Sequence, residues 1–283
     1  MAGRIFAALD RRVDPRLLAL VGSVGATAFH GRPCVVRYDD GLWVHRFRDG
    51  TVVLRHPTRV TVGQQDRAVR DVFLFDYAPG AGDTVIDIGA GMGEETRLLS
   101  RLVGPGGRVV SIEAHPRTFL GLTKTVAYNG LTNVTPLQCA VTDEPGAVHI
   151  EDLGAWALNG LVPDGGRDGA AHGIPVPGRT LGEIMTSLGL GRVDLVKMNI
   201  EGAELAALQG SVDALDAVEH LTVSCHDFKA DLTGREWERT FAPVCDLLSR
   251  HGFAVRTRRD HPSAVIRDYV YASRRRVRTG TTP

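Results

Sequence analysis

Residues 85 to 93, Val-Ile-Asp-Ile-Gly-Ala-Gly-Met-Gly, set an acid inside an apolar run and follow it with three glycines at alternate positions. The pattern predicts a strand, Val85 to Ile88, that carries Asp87 and runs into a tight turn, Gly89-Ala90-Gly91-Met92-Gly93, before a helix opening near Glu94. Glycine suits such a turn because the chain reverses sharply and a ligand approaches bare backbone. Dinucleotide enzymes space these glycines as G-x-G-x-x-G and hold a pyrophosphate on the helix N-terminus. Here the spacing is G-x-G-x-G, and Glu94 and Glu95 place two carboxylates where that pyrophosphate would sit. They complement the helix dipole, and they also repel an anionic ligand. A phosphate-free, positively charged ligand fits better.

S-adenosylmethionine meets that description, having a sulfonium, an ammonium and no phosphate, and Asp87 stands where it would accept from the ammonium. Glu113 closes the next predicted strand, Arg108 to Ile112, about 20 residues beyond Gly93, the place where nucleoside-binding sheets hold ribose hydroxyls. Ala140, ending the third strand, completes the expected cofactor set with Asp87, Gly89, Ala90, Gly91, Gly93 and Glu113. A nicotinamide-dependent oxidoreductase shares several of these features and is the competing enzyme class. A non-enzymatic nucleoside-binding regulator is a further alternative.

The elements that must position these residues follow from periodicity. Residues 1 to about 30 predict a helical arm. Cys34 to Tyr38, Leu42 to Phe47 and Thr51 to Arg55 alternate, and Asp39-Asp40-Gly41 and Asp49-Gly50 punctuate them, which predicts a small β-meander. A helix is expected over Gln65 to Tyr77. From Pro79 onward strand and helix patterns alternate, as in a mostly parallel sheet covered on both faces. The expected order is helix 116–129, strand 134–141, a short strand 146–150, helix 179–188, strand 193–199, helix 203–215, strand 219–225 and helix 235–251. Strands at 253–258 and 269–272 have no helix between them, so the sheet ends in an antiparallel hairpin. Residues 151–178 are rich in Gly and Pro and predict a long functional loop, with Trp156 and Asn159 candidates to close over substrate. Three units result: a cap of arm and meander (1–78), a cofactor-binding catalytic unit (79–273), and a basic tail (274–283).

Ligands of an open parallel sheet collect at the carboxyl ends of its strands. The fourth and fifth strands end in Asn199-Ile200-Glu201-Gly202 and His226-Asp227. These supply an amide, two carboxylates and an imidazole. His226 is the candidate general base, with Glu201 and Asn199 positioning an acceptor. Asp227 would orient His226, bind a metal or cap the following segment. Lys197, within its strand, would pair with Glu201 or Glu204.

At these residues the chain resembles the FkbM-type methyltransferases. Lys197-Met-Asn-Ile-Glu201-Gly202-Ala203-Glu204, followed by Leu208-Gln-Gly210, is similar to the K-x-D-x-E-G-x-E…L-x-G signature of that family. The strand and loop of 85–93, Glu113-Ala-His-Pro116 and the Asn129 and Asn133 pair extend the likeness over roughly residues 65–272. The resemblance implies an α/β, Rossmann-like class I methyltransferase fold, with a mostly parallel seven-stranded sheet, a C-terminal antiparallel hairpin, and the N-terminal arm and meander. It also implies S-adenosylmethionine-dependent O-methylation of a sugar or natural-product hydroxyl. Asn199 replaces the usual aspartate, which weakens any hold on a divalent cation such as magnesium. In a metal-assisted variant Glu201 and Asp227 would be the ligands.

Bulk composition agrees with an ordinary globular chain. Of 283 residues 43% are apolar and 23% charged, and the net charge is zero, which gives no footprint for nucleic acid. Cys34, Cys139, Cys225 and Cys245 lack C-x-x-C spacing and predict reduced core residues. Leu17 to Phe29, with Ala26-Thr27-Ala28, has the look of an export signal. Asp10 and Asp14 in the basic region and the interruptions at Gly22 and Gly25 argue against it, so a cytoplasmic enzyme with no membrane partner is expected.

Overall fold

The computed structural model describes residues 14–58, 60–152 and 173–274. Helix α1 (Pro15–His30) starts at Asp14, whose carboxylate accepts from Arg16 N at 2.8 Å, and stops at Gly31 in the left-handed conformation. The meander follows as predicted: β1 (Val35–Asp39), β2 (Leu42–Phe47) and β3 (Gly50–Leu54) pair antiparallel in that order. Helix α2 (Val62–Val72) has a capping box between Thr61 and Gln64 and ends earlier than expected, before Phe73 and Leu74 turn into the core.

The main sheet contains β4 (Thr84–Ile88), β5 (Arg108–Ile112), β6 (Val134–Leu137), β10 (Val193–Met198), β11 (Val218–Ser224), β12 (Phe253–Thr257) and β13 (Tyr269–Arg274). Their spatial order is β12-β13-β11-β10-β4-β5-β6, and only the β13 pairings are antiparallel. The chain moves outward from β4 through β5 to β6, then returns to β10 on the other side of β4. This reversal opens the crevice between β4 and β10.

Helices cover both faces: α3 (Thr96–Val103) and α4 (Pro116–Asn129) after β4 and β5, then α5 (Leu181–Ser187), α6 (Glu204–Gln209), α7 (Asp227–Thr233), α8 (Phe241–Arg250) and the single turn α9 (Ala264–Arg267). Alternation along the strands sends Ile86, Ile88, Val110, Ile112, Val196 and Met198 into one apolar cluster and Val85, Val109 and Leu195 into another. The meander is tied to α4, where Asn129 Oδ1 accepts from Thr51 N at 2.8 Å and its Nδ2 donates to Thr51 O at 3.0 Å.

Several predicted elements are divided. The strand expected over 134–141 splits, because β7 (Ala140–Val141) leaves the main sheet to pair with β9 (Gly173–Arg179), which also pairs with β8 (Gly146–Glu151). Part of the expected loop 151–178 is therefore strand; Trp156 and Asn159 lie outside the described residues, as do most of the tail and the first part of the arm. Helix 203–215 becomes α6 and a separate 3-10 turn (Val212–Ala217). Helix 235–251 likewise reduces to α8 behind a 3-10 turn (Glu236–Glu238), where Trp237 is 41% exposed and not part of the apolar face. Helix α7 was not expected, and neither was the single turn α9, which lies between β12 and β13 where no helix was predicted. Among the described residues no helix is long and apolar enough to cross a membrane.

Candidate active site

A cavity of about 310 Å³ opens at the carboxyl ends of β4, β5 and β10. The glycine turn forms its floor. Gly89 N and Ala90 N both donate to Ile112 O at 2.9 Å, which ties the turn to the end of β5. Gly89 has φ 72°, and a Cβ there would stand 1.9 Å from Asn199 O, so the two loops of the crevice touch only because this residue is glycine. Gly93 faces away from the cavity, against Thr125 of α4.

Four carboxylates reach the cavity: Glu94, Glu95, Glu113 and Glu201. Glu113 accepts from Gly91 N at 3.0 Å and His115 N at 2.9 Å, one amide to each oxygen. Burial nevertheless raises its pKa to about 7, because the amides of His115 and Gly91 and the charge of Lys197 offset the lost hydration only in part. Burial and the neighbouring Glu95 push Glu94 higher still, to about 8, although it accepts from Met92 N at 3.0 Å. Glu95 is also raised, chiefly by burial. All three hold their protons more tightly than an ordinary carboxylate does. The amide Oδ1 of Asn199 is buried, has no hydrogen-bond partner among the described residues, and belongs to a residue that lines the same space.

Asp87 occupies a different place from the one expected. It is fully buried beneath the turn and does not line the cavity. Register explains why: Lys197, Asp87 and Ser111 stand side by side across β10, β4 and β5, on one face of the sheet. Lys197 Nζ lies 3.0 Å from Asp87 Oδ1, donates to Gly89 O at 2.9 Å and sits 4.9 Å above the Phe73 ring. Thr96 Oγ1 donates to Asp87 Oδ2 at 3.0 Å. Asp87 thus holds the glycine turn in place through Lys197. The expected pairing of Lys197 with Glu201 or Glu204 is replaced by this one.

The residues expected to do chemistry are also divided. Asn199 and Glu201 line the cavity; His226 and Asp227 do not. His226 is 4% exposed, with Nδ1 2.7 Å from Glu204 Oε1 and Nε2 3.4 Å from Glu201 Oε1. Burial works against a charged ring, but the Glu204 charge and the hydrogen bonds to Glu201 and Glu204 prevail and raise its pKa to about 10. At neutral pH it is an imidazolium with both N–H groups committed, which is the wrong state for a general base. The expectation for His226 is corrected accordingly. Asp227 instead accepts from Phe241 N at 2.9 Å, at the first residue of helix α8, a contact outside the three roles considered for it. Glu201 and Asp227 are therefore not a metal-binding pair in one cavity. Among the described residues no group of three or more His, Cys, Asp or Glu is arranged to hold a metal ion.

Of the expected cofactor residues Gly89, Gly91, Glu113 and Ala140 line the cavity, whereas Ala90 and Gly93 shape the turn from behind. Sequence reasoning did not select His115, Thr118, Cys139 and Ile150, which complete the wall. His115 had a readable signal, since it precedes Pro116 at a helix start, and its Nδ1 accepts from Arg117 N at 3.2 Å. Asn129 and Asn133 are structural. Asn133 joins α3 to the end of β5's neighbour, donating to Ser100 O at 3.0 Å and Gly104 O at 2.8 Å.

Sheet order and the crevice between β4 and β10 together define a Rossmann-like fold. The methyltransferase FkbM domain matches residues 87–255, well over half of the chain. The chain belongs to the FkbM methyltransferase family. It is 24% identical over 212 residues to Methyltransferase 1 of Beauveria bassiana, covering 67% of this chain and 81% of that one. It is 36% identical over 83 residues to the AMB antimetabolite synthetase AmbE of Pseudomonas aeruginosa, a match to 29% of this chain and only 4% of the synthetase. Among solved structures, the FkbM methyltransferase of Methylobacillus flagellatus KT superposes with a TM-score of 0.47 at 18% identity, over 73% of this chain and 50% of that one. Aeropyrum pernix fibrillarin, solved with S-adenosyl-L-methionine natively bound, gives 0.44 at 14% identity, over 85% and 98%.

Proposed function

We propose that the protein transfers a methyl group from S-adenosylmethionine to a hydroxyl of a small molecule, of the sugar or natural-product type. One observation supports the reading above the others: carboxylates of raised proton affinity share a single cavity with the unpartnered Asn199 carbonyl. The residues present suit the donor. Glu113 retains lone pairs for two ribose hydroxyls beyond its backbone bonds. Glu94 and Glu95 face the positive end of the ligand, and Asn199 Oδ1 accepts from an ammonium or a hydroxyl. Ala140, with Cys139 and Ile112, offers an apolar wall for a base. When bound, the donor supplies an activated methyl group for in-line displacement.

The protein's own contribution is alignment, exclusion of water and proton removal. An aliphatic hydroxyl needs a base within hydrogen-bond reach. Glu201 is the reading's candidate, because it lines the cavity; its Oε2 accepts no hydrogen bond among the described residues, although the ammonium of Lys229 stands 3.4 Å away. It would take the hydroxyl proton on that oxygen while Asn199 holds the acceptor. Incubation with S-adenosylmethionine and a panel of hydroxylated metabolites should give one product heavier by a methylene, with an equal amount of adenosylhomocysteine. Tight NADH uptake together with indifference to adenosylhomocysteine would overturn the reading.

A further inference from the structure

Glu201 sits in an unfavourable backbone conformation. Its φ is 58°, left-handed in a residue with a long side chain, and Gly202 after it has φ 108°. Such a residue persists only where its surroundings over-determine it. The surroundings here converge on one atom. Glu204 Oε1 accepts from Ile200 N at 3.3 Å and from Gly202 N at 3.1 Å, so the amides on either side of Glu201 are fastened to the same oxygen. His226 Nδ1 donates to that oxygen as well, and Thr240 Oγ1 donates to Glu204 Oε2 at 3.1 Å. Through its other nitrogen His226 reaches the Glu201 carboxylate, and Lys229 Nζ donates to Glu201 O at 3.1 Å.

We infer that Glu204 and His226 are positioning residues, a buried carboxylate–imidazole pair that fixes the turn and the side chain of Glu201 at the acceptor end of the cavity. The inference deepens the proposed function and rests on Glu201 facing the acceptor. Glu204 sets the backbone; His226 carries that constraint to the carboxylate.

Charge explains the choice of residues. Glu204 is fully buried, and an isolated carboxylate there would take up a proton. Burial does push its pKa up, but the adjacent imidazolium and the amide of Gly202 outweigh burial and leave it lowered. The groups facing the pair from other elements are Lys229 of α7, 3.4 Å from Glu201; Glu238, 3.9 Å from Lys229 and 3.8 Å from Arg235; and the thiol of Cys225, raised by burial and by Glu204. Asp227 adjoins His226 and spends its Oδ1 on α8. The doubly protonated ring is the form that bridges two carboxylates, since a neutral ring has one donor nitrogen only.

The test uses the full chain, wild type and with Glu204→Gln, His226→Gln and His226→Lys. Nitrogen-15 spectra of the imidazole need no acceptor. They should show His226 doubly protonated at neutral pH in wild type and titrating at lower pH in Glu204→Gln, where the Glu201 and Gly202 amide resonances should also move. With an acceptor, Glu204→Gln and His226→Gln should lose kcat on the order of 100-fold, the scale of a misplaced reacting group, with adenosylhomocysteine affinity unchanged. His226→Lys, which keeps the cation, should recover part of the loss. The alkaline limb of the wild-type kcat profile should fall near pH 10, where the ring loses its proton, and move to lower pH in Glu204→Gln. A neutral His226 ring at neutral pH, or full kcat in both glutamine variants, would overturn the inference. Because the spectra require no methyl acceptor, a protein that methylates nothing would sink the proposed function and leave this inference to be decided by the ring.

Discussion

The cavity's acidity makes a quantitative statement about pH. Glu113 in the free protein has its pKa raised to about 7 from an ordinary 4.5, and burial is the main cause. A ligand whose ribose hydroxyls bond to the carboxylate binds the ionised form. Its observed dissociation constant is then the intrinsic value multiplied by one plus the ratio of protonated to ionised Glu113. For a pKa near 7 that product changes about tenfold between about pH 8 and about pH 6, tighter at the higher pH. Glu94, raised to about 8, adds to the change in the same direction if its charge also faces the ligand. Stability runs the opposite way in the ligand-free protein. The folded state holds a proton on Glu113 that the unfolded chain has lost, so ligand-free stability declines as pH rises from about 4.5 to about 7. The decline is on the order of 3 kcal/mol for this group alone, and it levels off above that window.

Calorimetry with adenosylhomocysteine across this range, in buffers of different ionisation enthalpy, measures both the affinity change and the protons released. Glu113→Gln should weaken binding at high pH and remove the part of the pH dependence centred near 7. Affinity that stays flat from about pH 6 to about pH 8, with no proton release, would refute the idea that an ionised Glu113 receives the ribose. Tighter binding at the acidic end would also refute the sign of the cavity's field.

Three further outcomes follow from contacts already described. Lys197→Met leaves Asp87 charged and unpaired inside the sheet, and should cost on the order of 3–5 kcal/mol by urea unfolding, most of it recovered when Asp87→Asn is added. Gly89→Ala drives a Cβ to 1.9 Å from Asn199 O at a residue with φ 72°, and should cost about 3 kcal/mol or more in the same assay and abolish nucleoside binding. Asp227→Asn weakens the cap on α8 and should lower stability by about 1 kcal/mol while leaving kcat and its response to a chelator unchanged; a lost kcat would return Asp227 to the site.

The fold was largely legible in the sequence because periodicity and turn chemistry are local. The alternating runs around Asp39-Asp40-Gly41 and Asp49-Gly50 predicted the meander almost residue by residue, and the two strand runs at 253–258 and 269–272 predicted the antiparallel end of the sheet, although the single turn α9 lies between them. Where prediction went astray, a local pattern crossed a boundary set by distant partners. Residues 134–141 read as one strand, yet Ala140 and Val141 pair with Gly178 and Arg179 of β9, 38 residues further along.

The site was legible only in part, for a related reason. A strand end shows which residues reach the crevice, as it did for Glu113, Asn199 and Glu201, but it does not show which acid meets which base. Asp87 and Lys197 are 110 positions apart in sequence and adjacent only because β4 and β10 pair in the register Lys197↔Asp87. That register gives Asp87 a partner in the one lysine of β10, which also stands 3.9 Å from Glu95, so the turn is held by a buried ion pair, and Glu201 takes its cations from His226 and Lys229 instead. His226 met a similar fate. Its position at a strand end suggested a base, but Glu204, read in the signature and as a partner for Lys197, sits 2.7 Å from the ring and holds a proton on it. The chemistry of a buried histidine is decided by its nearest carboxylate, and here that carboxylate is set by the packing of α6 against α8, with Thr240 donating to Glu204.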